Sequence, residues 1–284
     1  MTRFETYCEH REKEAIEASL SGFYTIQDAS AGYDLVSLGS DWTRRLFDGD
    51  FYRVRERPGE CPLTSLVFVQ SRDGNTVADD PSTLGGGDTD KHLIYEGLSR
   101  VDADAVLAGA ATARSASMVF SIWHPELVEL RRSLGKPRHP AQVVVTASGN
   151  VPIERGLMFE EPTLPVYLVT RSPVAASLRA KLHDRPWVDV VDAGDPLSLP
   201  AAMRYLRRRG LHVISAIGGR RTATALLRDG LVTDVYLTTS PIEGGAPNTP
   251  FHERPRLNLS CVLHKGGKGL EDGVRFEHLH IDDR

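Results

Sequence analysis

The stretch Ile214-Ser215-Ala216-Ile217-Gly218-Gly219-Arg220-Arg221-Thr222-Ala223-Thr224-Ala225-Leu226-Leu227 passes from an apolar run through two glycines into a helical segment beginning at about Thr222. A run too apolar to be half-exposed reads as a strand buried on both faces, and the segment after it reads as a helix lying on the sheet. Glycines lack Cβ, so the chain can turn sharply between the two and approach a ligand closely. The helix would start with free N–H groups pointing outward, a geometry that binds phosphate, and Arg220 and Arg221 would add forked cationic donors there. The same residues also fit a plain strand-to-helix turn with solvent-facing arginines. No Gly-Lys-Ser/Thr follows and there is no G-x-G-x-x-G, so neither common nucleotide fingerprint applies.

Working outward, this unit is one of a series. Short apolar runs at Leu66–Gln70, Ala105–Leu107, Gln142–Thr146, Val166–Thr170, Val188–Val191, His212–Ile217 and Val235–Thr239 alternate with amphipathic segments. The alternation predicts an α/β fold with a mostly parallel central sheet flanked by helices. Leu257–Leu263 and Val274–Ile281 follow without a helix between them and predict an antiparallel C-terminal edge ribbon. Asp88 is expected to cap a helix carrying His92 to Arg100. Ser198 is expected to cap one that has Pro200 near its start and stops at Gly210. Arg207 to Arg209 complement the macrodipole in that helix's last turn or bind an anion. Residues 1–62, with a charged helical stretch at Arg11–Leu20, read as a leader packing on a main domain of residues 63–284.

Composition narrows the function. The 284 residues can bury a core without staples, and 34 basic against 38 acidic residues give a net charge of −4 with no like-charge block. A small-molecule substrate is therefore expected, with no nucleic acid and no membrane. Three widely spaced cysteines supply neither a disulfide framework nor a thiolate zinc site and fit a reducing cytoplasm. No run approaches the about 18 apolar residues of a membrane span, and the charged N-terminus has no apolar signal region. No metal is expected. His278 and His280 sit two apart without an acidic or Cys partner at metal-ligand spacing, and read as an exposed strand face.

Two further strand ends carry polar groups. Val106 to Arg114 ends a strand in Gly109 and then offers Thr112 and Arg114, as a second ligand loop or as close helix packing. Gln70-Ser71-Arg72-Asp73-Gly74 is first a turn, and it would also present Ser71 and Asp73 to a substrate.

In order and spacing these features resemble the reductase domain of the bifunctional riboflavin-biosynthesis deaminase/reductase, the dihydrofolate-reductase-like pyrimidine reductases. Ser71 to Gly74 resembles that family's Ser-x-Asp-Gly. Asp104 to Thr112 resembles its Asp-Ala-(apolar)-(apolar)-x-Gly-x-Gly-Thr. Gly218 to Leu227, Asp229 to Asp234 and Pro241 to Gly245 are similar to its Glu-Gly-Gly helix, Gly-Leu-Val-Asp-Glu turn and Pro-x-x-x-Gly-Gly loop. The resemblance implies a cytoplasmic, homodimeric, NADPH-dependent reductase that transfers hydride to a ribosylaminopyrimidine phosphate. It implies cofactor contacts at Gly109, Thr112, Gly218, Gly219, Arg220, Arg221 and Thr222, with Thr146 and Ser148 toward the adenosine 2′-phosphate. Ser71, Arg72, Asp73 and Arg114 would face the substrate, and Asp73 would deliver or polarise the proton.

The chain departs from the family where Ile217 replaces the Glu before Gly-Gly, Val67 a basic residue and Ala111 the second Gly, and where Ala113 to Met118 replace an acidic and Pro-containing segment. These changes leave room for the same scaffold reducing a pterin-like or secondary-metabolite carbonyl or imine, or for a nucleotide-binding protein without catalysis.

Overall fold

The computed structural model describes residues 1–56, 58–78, 84–114, 118–253 and 257–282, so 115–117 of the Ala113 to Met118 stretch lie outside it. The elements in chain order are α1 (Arg3–Glu17), β1 (Phe23–Asp28), β2 (Leu35–Leu38), α2 (Asp41–Phe47), β3 (Phe51–Val54), β4 (Leu63–Gln70), α3 (Gly87–Thr89) running into a π-helix (Asp90–Leu98), β5 (Ala105–Gly109) and α4 (Pro125–Ser133). There follow β6 (Ala141–Val145), α5 (Leu157–Glu160), β7 (Val166–Thr170), α6 (Ser172–Lys181), β8 (Val188–Asp192), α7 (Leu199–Arg208), β9 (Val213–Ile217), α8 (Arg220–Arg228), β10 (Asp234–Thr239), β11 (Leu259–Gly267) and β12 (Arg275–Ile281).

One ten-stranded sheet runs β1-β11-β12-β10-β4-β9-β5-β6-β7-β8, and β2 and β3, joined through α2, form a separate two-stranded antiparallel sheet. The strands from β10 through β8 pair in parallel, as the continuous apolar runs predict. Every residue of β5, β7 and β9 is buried. Side chains alternate between two cores, as a pleated sheet requires. Val67, Val106, Ala108, Ile217 and Tyr236 face the π-helix and α4 to α6, and Leu66, Ala105, Leu107, Ala216 and Leu237 face α7 and α8. Among the described residues no helix is long and apolar enough to cross a membrane.

The structure corrects three local expectations. β11 and β12 are antiparallel, but the sheet's edge is β1, which the N-terminal segment adds outside β11. Phe23, Phe47 and Phe51 of that segment meet Phe276 and Tyr236 in one aromatic cluster. Asp88 caps nothing: Gly86 stands at the cap position, and the Asp88 carboxylate accepts from Ser19 N at 3.2 Å. Ser198 does cap α7, accepting from Ala201 N at 3.3 Å, and Gly210 follows the helix at φ +88°.

His278 and His280 are not an exposed face. His278 is 1% exposed and lies 2.8 Å from Asp234 Oδ1, with His280 Nδ1 3.2 Å from the same oxygen. The missing acidic partner is on β10, whose Asp234 is in register with His280. Burial alone would raise the Asp234 carboxyl, and the bonds from His278 and His280 overcome it and hold it at about 2. The group's folded pKa lies below its unfolded value of about 3.9, so its stabilisation is present above pH ~4 and is lost as the pH falls toward 2. Asp234→Ala is expected to cost about 3–5 kcal/mol in urea unfolding at neutral pH, because it strands two histidines around an empty buried site. A loss under about 1 kcal/mol would show that this cluster does not hold β12 to β10.

Candidate functional site

From β5 the chain steps outward through β6, β7 and β8 and then returns to insert β9 between β4 and β5. The carboxyl ends of β5 and β9 are therefore neighbours at a point where strand order reverses, which is where open α/β sheets form their ligand crevice. Gly218 and Gly219 follow β9 at φ +57° and +80°, a left-handed turn that residues with a Cβ avoid. α8 then begins at Arg220, two residues earlier than predicted, with Gly219 at its cap position. Its first N–H to find a carbonyl is that of Thr222, bonded to Gly219 O at 2.8 Å. The N–H groups of Arg220 and Arg221 point ahead of the helix without a partner among the described residues.

The two loops close on one another. A Cβ on Gly109 would sit 2.5 Å from Thr222 Oγ1, one on Gly218 3.4 Å from Thr112 Oγ1, and one on Gly219 3.5 Å from Thr112 Oγ1 and 3.6 Å from Thr222 Oγ1. Five predicted residues, Gly109, Thr112, Gly218, Gly219 and Thr222, thus stand together around a bare backbone cradle with two hydroxyls. Arg221 and Arg114 are exposed beside them with no ion pair among the described residues. Arg220 is already engaged, its Nε donating to Pro250 O at 2.9 Å and its Nη2 lying 3.2 Å from Glu253.

Thr146 and Ser148 do not join this group. Thr146 is 2% exposed, and its hydroxyl accepts from Gly149 N at 3.0 Å to close its own loop, while Ser148 lies on the surface. A cavity of about 670 Å³ lies at the opposite end of the sheet, by Tyr33, Glu56, Cys61, Leu63, Thr233 and His280, and none of the predicted site residues lines it.

On the other flank of β9, β4 is followed directly by Ser71, which is fully buried. Its hydroxyl donates to Asp73 Oδ1 at 2.6 Å and accepts from Asn75 N at 3.2 Å, and Gly74 N returns to Ser71 O at 2.9 Å. The Asp73 carboxyl is held below its ordinary value by the Ser71 hydroxyl first, then by Gly244 N, with Asn75 Nδ2 2.7 Å away. It is an exposed, well-solvated carboxylate, suited to accepting hydrogen bonds and poorly suited to giving up a proton. Arg72 is ion-paired with Glu243.

Val67 and Ile217, where the family pattern has a base and an acid, are register partners on β4 and β9, with Tyr236 opposite Val67 on the other side. They are 2% and 1% exposed and belong to one apolar cluster. Both positions are apolar together, so neither faces an unpaired charge in the other.

Sequence reasoning missed Asp90. It lies at the start of the π-helix, buried, and accepts a hydrogen bond from the Thr238 hydroxyl of β10. Thr238 is in register with Val69, two residues before Ser71. Burial raises the Asp90 carboxyl to about 7; the Thr238 bond opposes this and the nearby Glu271 charge adds to it. A Cβ on Gly86 would lie 2.5 Å from Asp90 Oδ2, so that glycine makes room for the carboxyl. The signal was present: positions 90, 93, 94 and 97 share one helical face, and an Asp on an otherwise apolar face needs a reason.

Comparison with known proteins adds to this geometry. The model of the RibD C-terminal domain matches residues 63–267. A 2,5-diamino-6-ribosylamino-4(3H)-pyrimidinone 5′-phosphate reductase of Archaeoglobus fulgidus is 24% identical over 184 residues, 62% of this chain and 81% of the relative. Among solved structures, a pyrimidine reductase-like protein from Corynebacterium diphtheriae aligns with a TM-score of 0.64 at 21% identity, over 78% of this chain and 93% of the other. RibD of Acinetobacter baumannii aligns with a TM-score of 0.58 at 16% identity, over 78% of this chain and 58% of the other. At these identities the structural likeness is one of fold.

Proposed function

The chain belongs to the RibD C-terminal domain family, and from that premise we propose that it is an NADPH-dependent reductase delivering hydride to a ribosylaminopyrimidine phosphate in riboflavin biosynthesis. The single observation that carries the reading is the convergence of Gly109, Thr112, Gly218, Gly219 and Thr222 at the adjoining ends of β5 and β9. The residues there fit a dinucleotide. Bare backbone allows close approach, the N–H groups of Arg220 and Arg221 face outward at a helix N-terminus, and Arg221 and Arg114 bring positive charge that the net −4 of the chain does not supply. When bound, the cofactor supplies the hydride.

The protein's own work is positioning and proton management. Thr112 and Thr222 offer hydroxyls to the cofactor's polar groups. Asp73, held as a carboxylate by Ser71 and Asn75, accepts hydrogen bonds from substrate hydroxyl or amino groups. The proton donor we assign is the carboxyl of Asp90, which meets Thr238 near the carboxyl end of β10, beside the strand that leads to Ser71, and which burial keeps protonated up to about pH 7, in place of the Asp73 suggested by the motif. We place the enzyme in the cytoplasm as a homodimer acting on a small molecule, without nucleic acid.

The apolar Val67–Ile217 pair favours a second reading, in which the same scaffold reduces a pterin-like or secondary-metabolite carbonyl or imine without a phosphate. Purified protein given NADPH with the pyrimidinone 5′-phosphate, its dephosphorylated form or a pterin separates the readings. NADPH consumption with the phosphate substrate is the expected result. Turnover on the other compounds alone selects the second reading, NADPH binding without turnover selects a nucleotide-binding protein, and no binding of NADPH overturns all three.

A further inference from the structure

Residues 1–62 lie outside the region matched by the family model, and among their contacts with the rest of the chain is a set of polar bonds to the helix that carries Asp90. From α1, Arg11 Nη2 reaches Glu96 Oε1 at 2.5 Å and Nη1 reaches Glu14 Oε2 at 2.6 Å, and the other Glu14 oxygen takes the Lys91 ammonium. From the chain after α1, Ser19 N donates to Asp88 Oδ2 at 3.2 Å and Ser21 N to Thr89 Oγ1 at 3.0 Å. Residues 88, 89, 91 and 96 are thus gripped from the N-terminal side, while Asp90 between them turns the other way, to Thr238.

Such a grip has a physical reason. A π-helix is a less regular ladder than an α-helix, and this one is broken at Gly97 (φ −120°, ψ −107°), so its own hydrogen bonds fix its register weakly. A slip of one residue along the helix would swing the Asp90 side chain around the helix axis and away from Thr238. The Arg11–Glu96 pair is an expensive way to add stability, since apolar residues of similar size commonly do as well in a buried site. Its side chains are only 17% and 12% exposed. His92, beside Glu96, is held neutral by burial, its pKa lowered to about 4, so the charges that favour the Glu96 carboxylate are Arg11 first, then Arg100 and Lys91, and of these Arg11 is the one the N-terminal segment supplies.

We infer that the N-terminal segment is a positioning device for the proton donor, with Arg11 and the Ser21–Thr89 bond setting the register of the Asp90 helix. What Asp90 does rests on the reductase reading; the grip on its helix does not. Two measurements on the full chain keep them apart. Amide exchange of the apo protein is expected to speed up at least tenfold at residues 88–92 in Arg11→Ala while staying unchanged in α7. In turnover at saturating NADPH, well below the unfolding temperature, Arg11→Ala is expected to lower kcat about tenfold. Its KM and NADPH Kd should stay within twofold of the parent, and Arg11→Lys should recover most of the loss. Lys13→Ala, which breaks only an exposed pair with Glu17, should change neither measurement. Should Arg11→Ala fail to fold, Thr89→Val removes the acceptor of Ser21 N at constant shape and is expected to lower kcat severalfold. Unchanged exchange at 88–92, or a parental kcat in whichever of these variants folds, overturns the inference. An inactive parent with faster exchange in Arg11→Ala removes the reductase reading and leaves the grip standing.

Discussion

Gly219→Val is expected to weaken NADPH binding by well over tenfold, about 1.4 kcal/mol or more, in a protein that still folds. Two effects separate cleanly here. Gly219 sits at φ +80°, where a residue with a Cβ is strained by about 1–2 kcal/mol. That strain appears as a thermal midpoint lower by a few degrees. The binding loss has another source. A single Cβ at Gly219 meets protein atoms only at ordinary contact distance, 3.5 Å and beyond, so the branches of Val would occupy the space left for the ligand rather than displace the fold. Gly219→Ala should show the strain with a smaller binding loss. A folded Gly219→Val protein that binds NADPH like the parent would remove the β9–α8 turn from the cofactor site.

Asp90→Asn carries the second large effect. A positioned general acid contributes about 10²–10⁴-fold, and the variant should lose rate in that range while keeping its cofactor affinity. The parent's rate should fall as the pH rises through about 7, where burial has placed the Asp90 proton loss, and the variant's profile should lack that limb. Stability gives an independent reading with a definite sign. The folded pKa lies above the unfolded value of about 3.9, so the group favours folding below pH ~4 and that contribution is lost as the pH rises through 7. Asn is neutral throughout, so in urea unfolding Asp90→Asn should be at least as stable as the parent at pH 8. The charged neighbour contributing to this balance is Glu271, whose Oε1 accepts from Thr89 N at 3.1 Å. A variant with parental rate and an unchanged pH profile would mean that the proton comes from elsewhere.

How far the sequence carried these conclusions depended on which force set each feature. The parallel strands were legible because burial on both faces leaves continuous apolar runs, and Val166–Thr170 has the predicted bounds. β1 was not legible: it is exposed along all but its first residue and owes its place to pairing with β11, a partner more than 200 residues away. α8 starts two residues before the expected Thr222 because Gly219, in the left-handed region, takes the cap position directly after the turn, while Thr222 turns its hydroxyl toward Gly109. Asp234 completes the His278–His280 cluster from a neighbouring strand, and a register of that kind is not written in residue spacing.

The same limit governed the site. Nothing in residues 109 and 218 taken locally says that they meet; β9 returning to lie beside β5 brings them together, and only the ordered resemblance to a family anticipated it. Arg72 and Arg220, read as cations for an anionic ligand, are each engaged by a carboxylate, Glu243 and Glu253, of the loop after β10. Local reading of an arginine cannot supply its partner. Asp90 differs, since its place on one helical face with Leu93 and Ile94 is visible in the sequence, although the Asp73-Gly74 turn is the more familiar signal.

The most direct test of the central claim, that the adjoining ends of β5 and β9 hold the dinucleotide, is amide exchange of the full chain with and without NADPH. The account predicts slowed exchange at residues 107–114 and 217–224, with no change around the cavity at the opposite end of the sheet. Protection absent from both loops, or confined to that cavity, would contradict it.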